Sequence, residues 1–385
     1  MNKKKNIIKI ALIILIAAIL VLGACIIYNK FIKKDDNKKE SYVSKQGIIG
    51  FGTIEKQNKD SDDSIDVVAY YKDGKIKRIY SFDKEYLKDI VNEENIMYQT
   101  KNINIGYDDD KLYIQIDKKL YSIDLTQKEY ELIDLGIDFD KNAEKLYVVD
   151  GIAYLNYSSH PSKRFDIKNM EITDLKADKY YITDFIIDRK SKSIFFTDNY
   201  DYDANIKQTL YYAPLKKINK ENAVYLSKYN SISIMDAYDG NIVYEYYDES
   251  LNTKYSMYNI NKEKTKKISI KSPSSIYILG KDLYYSNQKI ETNDDQTIKN
   301  CTLKFYKYDK SKALYEFDHC KEGNYMTYIG NDLFELFDTG SSENNVVINT
   351  KGEVKDLYIT DKENKKEKLD ITKYYNINYE YVEVN

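Results

Sequence analysis

The residues best placed for chemistry are two of the three cysteines, Cys301 and Cys320, which fall in one predicted β-hairpin. If Lys310 and Ser311 form a two-residue turn, the two cysteines face each other at about 4.5–5.5 Å between Cα atoms. That separation suits a disulfide, which would be structural here. The alternative is two unbridged strand cysteines, and a one-residue bulge would be enough to keep them apart.

The two histidines, His160 and His319, do not have the spacing of zinc ligands. The sequence has no G-x-S-x-G, no HExxH and no glycine-rich phosphate loop. Zinc chemistry and a Ser-His-Asp hydrolase are therefore not expected. Paired carboxylates for glycoside cleavage stay open, because 62 acidic residues must bring some pairs together. We predict no catalytic residue, no metal ligand and no cofactor.

Three acidic runs are candidate calcium sites. Residues 201–205 place Asp201, Asp203 and Asn205 at alternate positions, as the start of an EF-hand loop does. Ile206 then replaces the turn glycine and Tyr212 replaces the bidentate glutamate, so the pattern fails. The runs at 60–64 and 108–110 are also incomplete. Solvated loop carboxylates are the prediction for all three.

The beginning of the chain predicts a membrane anchor. Three lysines precede an apolar run over residues 7–28 that only Lys9 interrupts, and lysines follow it. About 20 apolar residues in a helix span the hydrocarbon core of a bilayer. We therefore predict a cytoplasmic tail at 1–6, a single transmembrane helix at 7–28, a charged linker at 29–46 and an extracytoplasmic remainder.

A second interpretation of this segment depends on Cys25. The tetrapeptide Leu22-Gly23-Ala24-Cys25 resembles the lipobox of bacterial lipoproteins, in which lipidation of the cysteine would anchor the chain. Against it, Ile26, Ile27 and Tyr28 continue the apolar run, which favours an uncleaved helix. Either interpretation predicts a domain held outside the cell membrane.

Composition excludes several partners and fold classes. Residues 1–40 hold nine Lys or Arg and three Asp or Glu, which leaves 50 basic against 59 acidic residues beyond them. This negative balance disfavours nucleic acid as a partner. Tyr is abundant at 41 residues and Pro is rare at 3. Tyr, Ile, Phe and Val favour β-strands, so we predict an all-β protein.

A repeated strand organises the rest of the chain. The repeat begins at an apolar residue that we call the anchor, and its clearest copy is the run SIFFTDN around Ile194. From Leu112 to Leu333 successive anchors are 40 to 50 residues apart. The anchors are Val67, Leu112, Ile152, Ile194, Ile242, Leu283 and Leu333. Several follow turn signals such as Asp150-Gly151 and Asp239-Gly240.

Each anchor strand is followed by a second aromatic strand, and further extended runs flank the pair. Four strands in a unit of this length are typical of a β-propeller blade. We predict a β-propeller of six to eight blades, seven being preferred, over residues 47–361. Residues 362–385 form a C-terminal segment, of which 374–384 is expected to pair with 48–55 and close the ring.

The anchor strand also resembles a known family repeat. An aliphatic residue, two aromatics, a small polar residue and Asp or Asn occur at residues 194–198 and again at 283–287. The pattern is similar to the YWTD-type repeat of lipoprotein-receptor propellers and to the Tyr-rich propellers on surface proteins of low-GC Gram-positive bacteria. The Trp is missing throughout, and the copies at Leu112 and Leu333 lack the polar pair. The receptor type has six blades, whereas seven anchors occur here.

Two functional hypotheses follow. The first is a membrane-tethered, non-catalytic module that binds a protein, a peptide or a cell-wall glycan on one face, and it predicts no cluster of perturbed carboxylates. The second is an envelope carbohydrate-active hydrolase or lyase, which predicts two or three buried carboxylates with raised pKa values at one mouth of the central channel. A sensor would need a membrane partner, because Met1 to Asn6 cannot form a signalling domain.

Overall fold

The computed structural model describes residues 41–56, 64–83, 103–157, 160–198, 208–227, 232–318, 324–338, 341–361, 363–369, 371 and 382–383. Within these ranges the regular secondary structure is β-strand, apart from one short helix, α1 (Tyr42–Lys45). No helix in them has the length and hydropathy needed to cross a bilayer. The predicted anchor at 7–28 lies outside the described residues.

Seven antiparallel sheets follow one another along the chain, and we call them blades 1 to 7. Blade 1 holds β1 (Ile48–Lys56), β2 (Ser64–Tyr71) and β3 (Ile76–Asp83). Blade 2 holds β4 (Ile103–Asp108), β5 (Lys111–Ile116), β6 (Lys119–Asp124) and β7 (Ile133–Asp138). Blade 3 holds β8 (Lys145–Val149), β9 (Ile152–Asn156), β10 (Lys163–Asp166) and β11 (Glu171–Asp174). A separate hairpin, β12 (Lys176–Ala177) and β13 (Tyr180–Tyr181), precedes blade 4.

The remaining blades repeat this plan. Blade 4 holds β14 (Phe185–Asp188), β15 (Ser193–Thr197), β16 (Thr209–Pro214) and β17 (Asn222–Leu226). Blade 5 holds β18 (Ser233–Tyr238), β19 (Asn241–Tyr247), β20 (Thr253–Asn259) and β21 (Lys264–Ile268). Blade 6 holds β22 (Pro273–Leu279), β23 (Asp282–Thr292), β24 (Ile298–Lys307) and β25 (Tyr315–Phe317). Blade 7 holds β26 (Asn324–Gly330), β27 (Leu333–Asp338) and β28 (Ser341–Asn349).

The hydrophobic cores lie between blades rather than within one layer. Seven clusters of buried side chains each join one blade to the next. One of them combines Ile54 and Val68 of blade 1 with Ile329 and Val347 of blade 7. Because this cluster joins the last blade to the first, the seven sheets form a closed ring. The protein is an all-β, seven-bladed β-propeller, as the seven anchors predicted.

The anchors occupy the second strand of every blade, where both faces of the sheet are covered. In β15 all five residues are buried. Ile194 and Phe196 pack between blades 3 and 4, whereas Phe195 points to the opposite face and packs between blades 4 and 5. Side chains alternate along a strand, so a strand buried on both faces must be apolar throughout. This explains the run of an aliphatic residue and two aromatics.

Strands from the end of the chain join both edges of blade 1. β29 (Leu357–Thr360) pairs in parallel with β3, and β30 (Lys366–Leu369) extends that outer edge. β31 (Val382–Glu383) pairs with β1 at Phe51 and Gly50 on the inner edge. The sheet order therefore runs β30, β29, β3, β2, β1, β31 from outside to inside. Blade 1 is built from both ends of the described propeller.

The burial of both faces of β15 is tested by removing adjacent side chains. We expect Phe195→Ala and Phe196→Ala each to lower the free energy of unfolding by about 3–5 kcal/mol, because each leaves a cavity in a different core. Urea denaturation followed by circular dichroism measures both. Leu226→Ala is the control, since Leu226 is 59% exposed, and should change stability by less than about 0.5 kcal/mol. A large effect at only one phenylalanine would contradict burial on both faces.

Candidate binding site

The first strands of the blades surround a central channel, and one mouth of the channel carries a cavity lined by both apolar and ionisable side chains. The cavity has a volume of about 360 Å³ and is lined from blades 3 to 7 and by β31. Its ionisable side chains include Lys145, Asp188, Lys190, Asp236, Tyr238 and Glu383. Most of them lie at or just after the ends of β14 and β18, so the mouth is formed where first strands turn into second strands.

Asp188 shows how the chain builds this mouth. It is the last residue of β14, it is buried, and its carboxylate accepts hydrogen bonds from the backbone N–H groups of Lys190 and Ser191. It also accepts one from the N–H of Gly240 in blade 5, at 2.6 Å. Gly240 has φ +73°, and a Cβ there would lie 2.9 Å from Ile260, so glycine is required in this turn.

Two further carboxylates make the same kind of link from one blade to the next. Asp108 at the end of β4 accepts hydrogen bonds from the N–H groups of Asp150 and Gly151 in blade 3. Asp236 in β18 accepts one from the N–H of Ile278 in blade 6, at 2.6 Å. We call the links made by Asp108, Asp188 and Asp236 the inter-blade carboxylate contacts. They satisfy backbone donors that the tight turns and inner strands leave without partners in their own sheets.

Arg189 extends the network across three blades. Its guanidinium lies 5.4 Å from the centre of the Tyr107 ring in blade 2 and donates a hydrogen bond to the Val148 carbonyl in blade 3. Burial lowers the pKa of Arg189, and the charge of Asp108 acts in the opposite direction. A guanidinium stays protonated in either case, so it supplies a fixed positive charge beside the channel mouth.

A smaller cluster of ionisable side chains lies inside the mouth. The ammonium of Lys190 lies 5.0 Å from the centre of the Tyr238 ring and 3.3 Å from the Asp239 carboxylate. Glu383 of β31 lies within hydrogen-bonding reach of the Tyr238 side chain. Burial raises the pKa of Glu383 to about 7 and that of Asp236 to about 6. The cluster therefore combines a cation, an aromatic hydroxyl and two carboxyls that are easily protonated.

The predicted cysteine bridge is tested only at one end. Cys301 is buried in β24 and takes part in a disulfide. Cys320 and Cys25 lie outside the described residues, so the pairing of Cys301 with Cys320 and the lipidation of Cys25 stay predictions. The register behind the pairing was wrong by one residue: Leu303 pairs with Phe317 rather than with Asp318. The strands are joined by a connection longer than the expected two-residue turn.

The acidic runs have different outcomes. Residues 60–63, residues 201–205 and His319 lie outside the described residues, and His160 is exposed on the loop between β9 and β10. Asp108 and Asp110 are not simply solvated, because Asp108 makes an inter-blade contact and Asp110 accepts a hydrogen bond from the N–H of Tyr42 at 2.7 Å. The described part of the chain contains no group of three or more His, Cys, Asp or Glu residues arranged for a metal.

The sequence patterns do not single out Lys190, Tyr238, Asp236 or Glu383. A usable signal exists for the carboxylates: Asp108, Asp188 and Asp236 each stand near the end of an apolar strand that precedes an anchor. A single acidic residue in such a strand needs a hydrogen-bond partner, which predicts a structural or functional role. No comparable signal marks Lys190 or Tyr238 among 59 basic residues and 41 tyrosines.

No protein-family model and no curated protein matches this chain. Among solved structures, it is similar to BamB from Moraxella catarrhalis, with 10% identity and a TM-score of 0.38, over 78% of this chain and 83% of that one. It is similar to the WD40 repeats of RRP9, with 8% identity and a TM-score of 0.39, over 68% and 85%.

A third similar structure is an oligogalacturonate lyase in complex with manganese. It has 12% identity and a TM-score of 0.42, over 64% of this chain and 73% of that one. Likenesses this distant concern the fold alone and do not decide between binding and catalysis.

The inter-blade carboxylate contacts predict a specific loss of stability. We expect Asp188→Ala to lower the free energy of unfolding by about 1.5–3 kcal/mol, because it removes charge-assisted hydrogen bonds and leaves the N–H of Gly240 without its acceptor. Chemical denaturation measures the change. Glu171→Ala is the control, because Glu171 is an exposed acidic residue in β11. Equal effects of the two substitutions would show that the contact does not hold the blades together.

Glu335 predicts how stability depends on pH. It is buried in β27, and burial raises its pKa from the ordinary 4.5 to about 8. The protonated form is favoured in the fold, so its contribution to stability is complete below pH 4.5 and is lost as the pH rises through 8. We expect the melting temperature to fall between pH 5 and pH 9, and Glu335→Gln to reduce that fall. Glu171→Gln should leave the fall unchanged, and an identical fall in Glu335→Gln would refute the assignment.

Proposed function

We propose that this protein is a membrane-tethered, extracytoplasmic β-propeller that binds a protein, a peptide or a cell-wall glycan at its channel mouth without catalysing a reaction. The observation that carries the proposal is the cavity of about 360 Å³, in which Lys190, Tyr238 and Glu383 meet. Propellers hold such mouths rigidly, because every blade is fixed by two neighbours, and ligands bind at concave sites with a few placed polar groups.

One observation favours the alternative, an envelope hydrolase or lyase with carboxylates in the channel. Asp236 and Glu383 have raised pKa values at one mouth, which is the feature that hypothesis predicts. Their contacts favour binding instead. The two oxygens of Asp236 accept hydrogen bonds from the N–H groups of Ala237 and Ile278. Glu383 belongs to a strand that itself occupies the channel, so neither carboxyl is held ready for a substrate.

Attachment to the membrane is proposed from the apolar run at residues 7–28. The resemblance of the second strands of the blades to those of Tyr-rich surface propellers is compatible with it. Either a transmembrane helix or a lipid on Cys25 would hold the propeller outside the membrane. The two forms of membrane attachment differ in one respect: only the lipid needs the thiol of Cys25.

The orientation of the chain is tested by labelling introduced cysteines in intact cells. Leu251 is 65% exposed, and we expect Leu251→Cys to react with a membrane-impermeant maleimide. Asn2→Cys in the predicted cytoplasmic tail should react only after the cells are opened. Labelling of Leu251→Cys only after lysis would contradict an extracytoplasmic propeller. Cys25→Ser separates the helix from the lipid in cells fed a radiolabelled fatty acid: a lipid on Cys25 labels the native chain and not the variant, whereas an uncleaved helix leaves both unlabelled.

Binding at the mouth is tested with purified peptidoglycan fragments and a library of heptapeptides against the full chain in detergent. We expect at least one of these probes to bind and Lys190→Ala to weaken that binding about two- to fivefold, since a charge contact made by a side chain that is 45% exposed contributes up to about 1 kcal/mol. Leu226→Ala is the control for an unrelated surface change. Release of reducing ends or unsaturated sugars that Asp236→Asn abolishes would support the enzyme instead.

A further inference from the structure

β31 lies inside the ring. β1 is the first strand of blade 1, and β31 pairs with its inner edge through Gly50 opposite Glu383 and Phe51 opposite Val382. It also contacts β4 of blade 2. An unpaired strand edge presents backbone N–H and C=O groups that another extended segment can pair with. The inner edge of β1 is therefore a strand-binding edge that faces the channel.

The side chain of Glu383 brings β31 next to the ionisable cluster of the channel mouth. Glu383 lines the 360 Å³ cavity beside Tyr238 and Lys190, and it also lines a second cavity of about 310 Å³ beside Asp282 and Asp332. One side chain thus forms part of the wall of both spaces.

We propose that the inner edge of β1, with Lys190 and Tyr238 facing it, is a binding site for an extended peptide segment that carries a glutamate-type side chain, and that β31 occupies this site as a replaceable intramolecular ligand. The inference rests on the proposed binding function and narrows its ligand to a peptide. Strand addition gives affinity through the backbone and specificity through alternate side chains. A glycan lacks the regular N–H and C=O ladder that the edge of β1 needs.

The small size of β31 makes exchange feasible. Only two residues of β31 pair with β1, and ten residues separate β31 from the nearest described position, Ile371. A segment tethered through a short connection competes at an effective concentration on the order of millimolar. A peptide with more paired residues and a dissociation constant in the micromolar range can therefore displace it.

The groups around Glu383 predict how the binding of β31, or of a peptide like it, depends on pH. Glu383 faces Tyr238, Lys190, Asp236 and Asp188, with Asp282 and Asp332 across the second cavity. Burial and the two aspartates raise its pKa to about 7, against 4.5 ordinarily, whereas Tyr238 and Lys190 act in the opposite direction. Binding of the glutamate is thus strongest below pH 4.5 and weakens as the pH rises towards 7. Asp236 ionises in the same window and strengthens this trend.

The test uses the full chain in detergent and a form that lacks residues 379–385, with a fluorescent heptapeptide of that sequence, Tyr-Glu-Tyr-Val-Glu-Val-Asn. At pH 5.5 we expect anisotropy to show binding to the shortened chain at least tenfold tighter than to the full chain. The affinity should fall at least tenfold from pH 5.5 to pH 8. A Glu383→Gln peptide should bind with less pH dependence, whereas the matched Glu380→Gln peptide should behave as the native one.

Each result decides the inference. No binding to a shortened chain with an unchanged melting temperature overturns the site, and equal binding to both chains overturns its occupation by β31. If the shortened chain unfolds, full-length Glu383→Leu replaces it and should bind the peptide at least threefold tighter than the native full chain; no gain overturns the inference. Lys190-dependent binding of peptidoglycan without peptide binding refutes this inference and leaves the proposed function standing.

Discussion

The structure depends on one constraint: every blade must bury both of its faces against neighbours. A single four-stranded sheet leaves both faces in water, and a row of such sheets still leaves the outer face of each end sheet exposed. Closing the row into a ring removes both ends, and the cluster that joins blade 7 to blade 1 is where this happens. The apolar second strands, the abundant aromatics and the role of the last strands in blade 1 follow from the same requirement.

The constraint also shapes the polar chemistry of the channel mouth. Inner strands lie close to one another, and tight turns leave backbone donors that their own sheets do not satisfy. Asp108, Asp188 and Asp236 satisfy such donors in the following blade. Two of these carboxylates, Asp188 and Asp236, also line the cavity at the mouth, together with Lys190 and Arg189. Asp236 thus supports the ring and also belongs to the candidate binding site, whereas Lys190, Tyr238 and Glu383 make none of the inter-blade carboxylate contacts.

Much of the fold could be predicted from sequence because repetition is visible in one chain. The seven anchors mark seven second strands. The run of apolar residues around Phe195 indicates that both faces of its strand are buried, as the structure shows. The predicted register of the hairpin near Cys301 was wrong, because the length of a turn depends on local backbone geometry that residue types do not determine. The site was missed for a related reason. Lys190, Tyr238 and Glu383 are separated by 48 and 145 positions in the sequence, and only the closure of the ring brings them together.

The central claim is that the ring is closed at blade 1 and that its inner edge holds a strand. Hydrogen exchange of a proteolytic fragment that covers β1 measures this most directly, compared between the full chain and the chain that lacks residues 379–385. We predict faster exchange in β1 of the shortened chain, while fragments from blades 3 to 6 exchange at unchanged rates. Identical exchange of β1 in the two chains would contradict an occupied inner edge, and uniform acceleration in every blade would show general loosening instead.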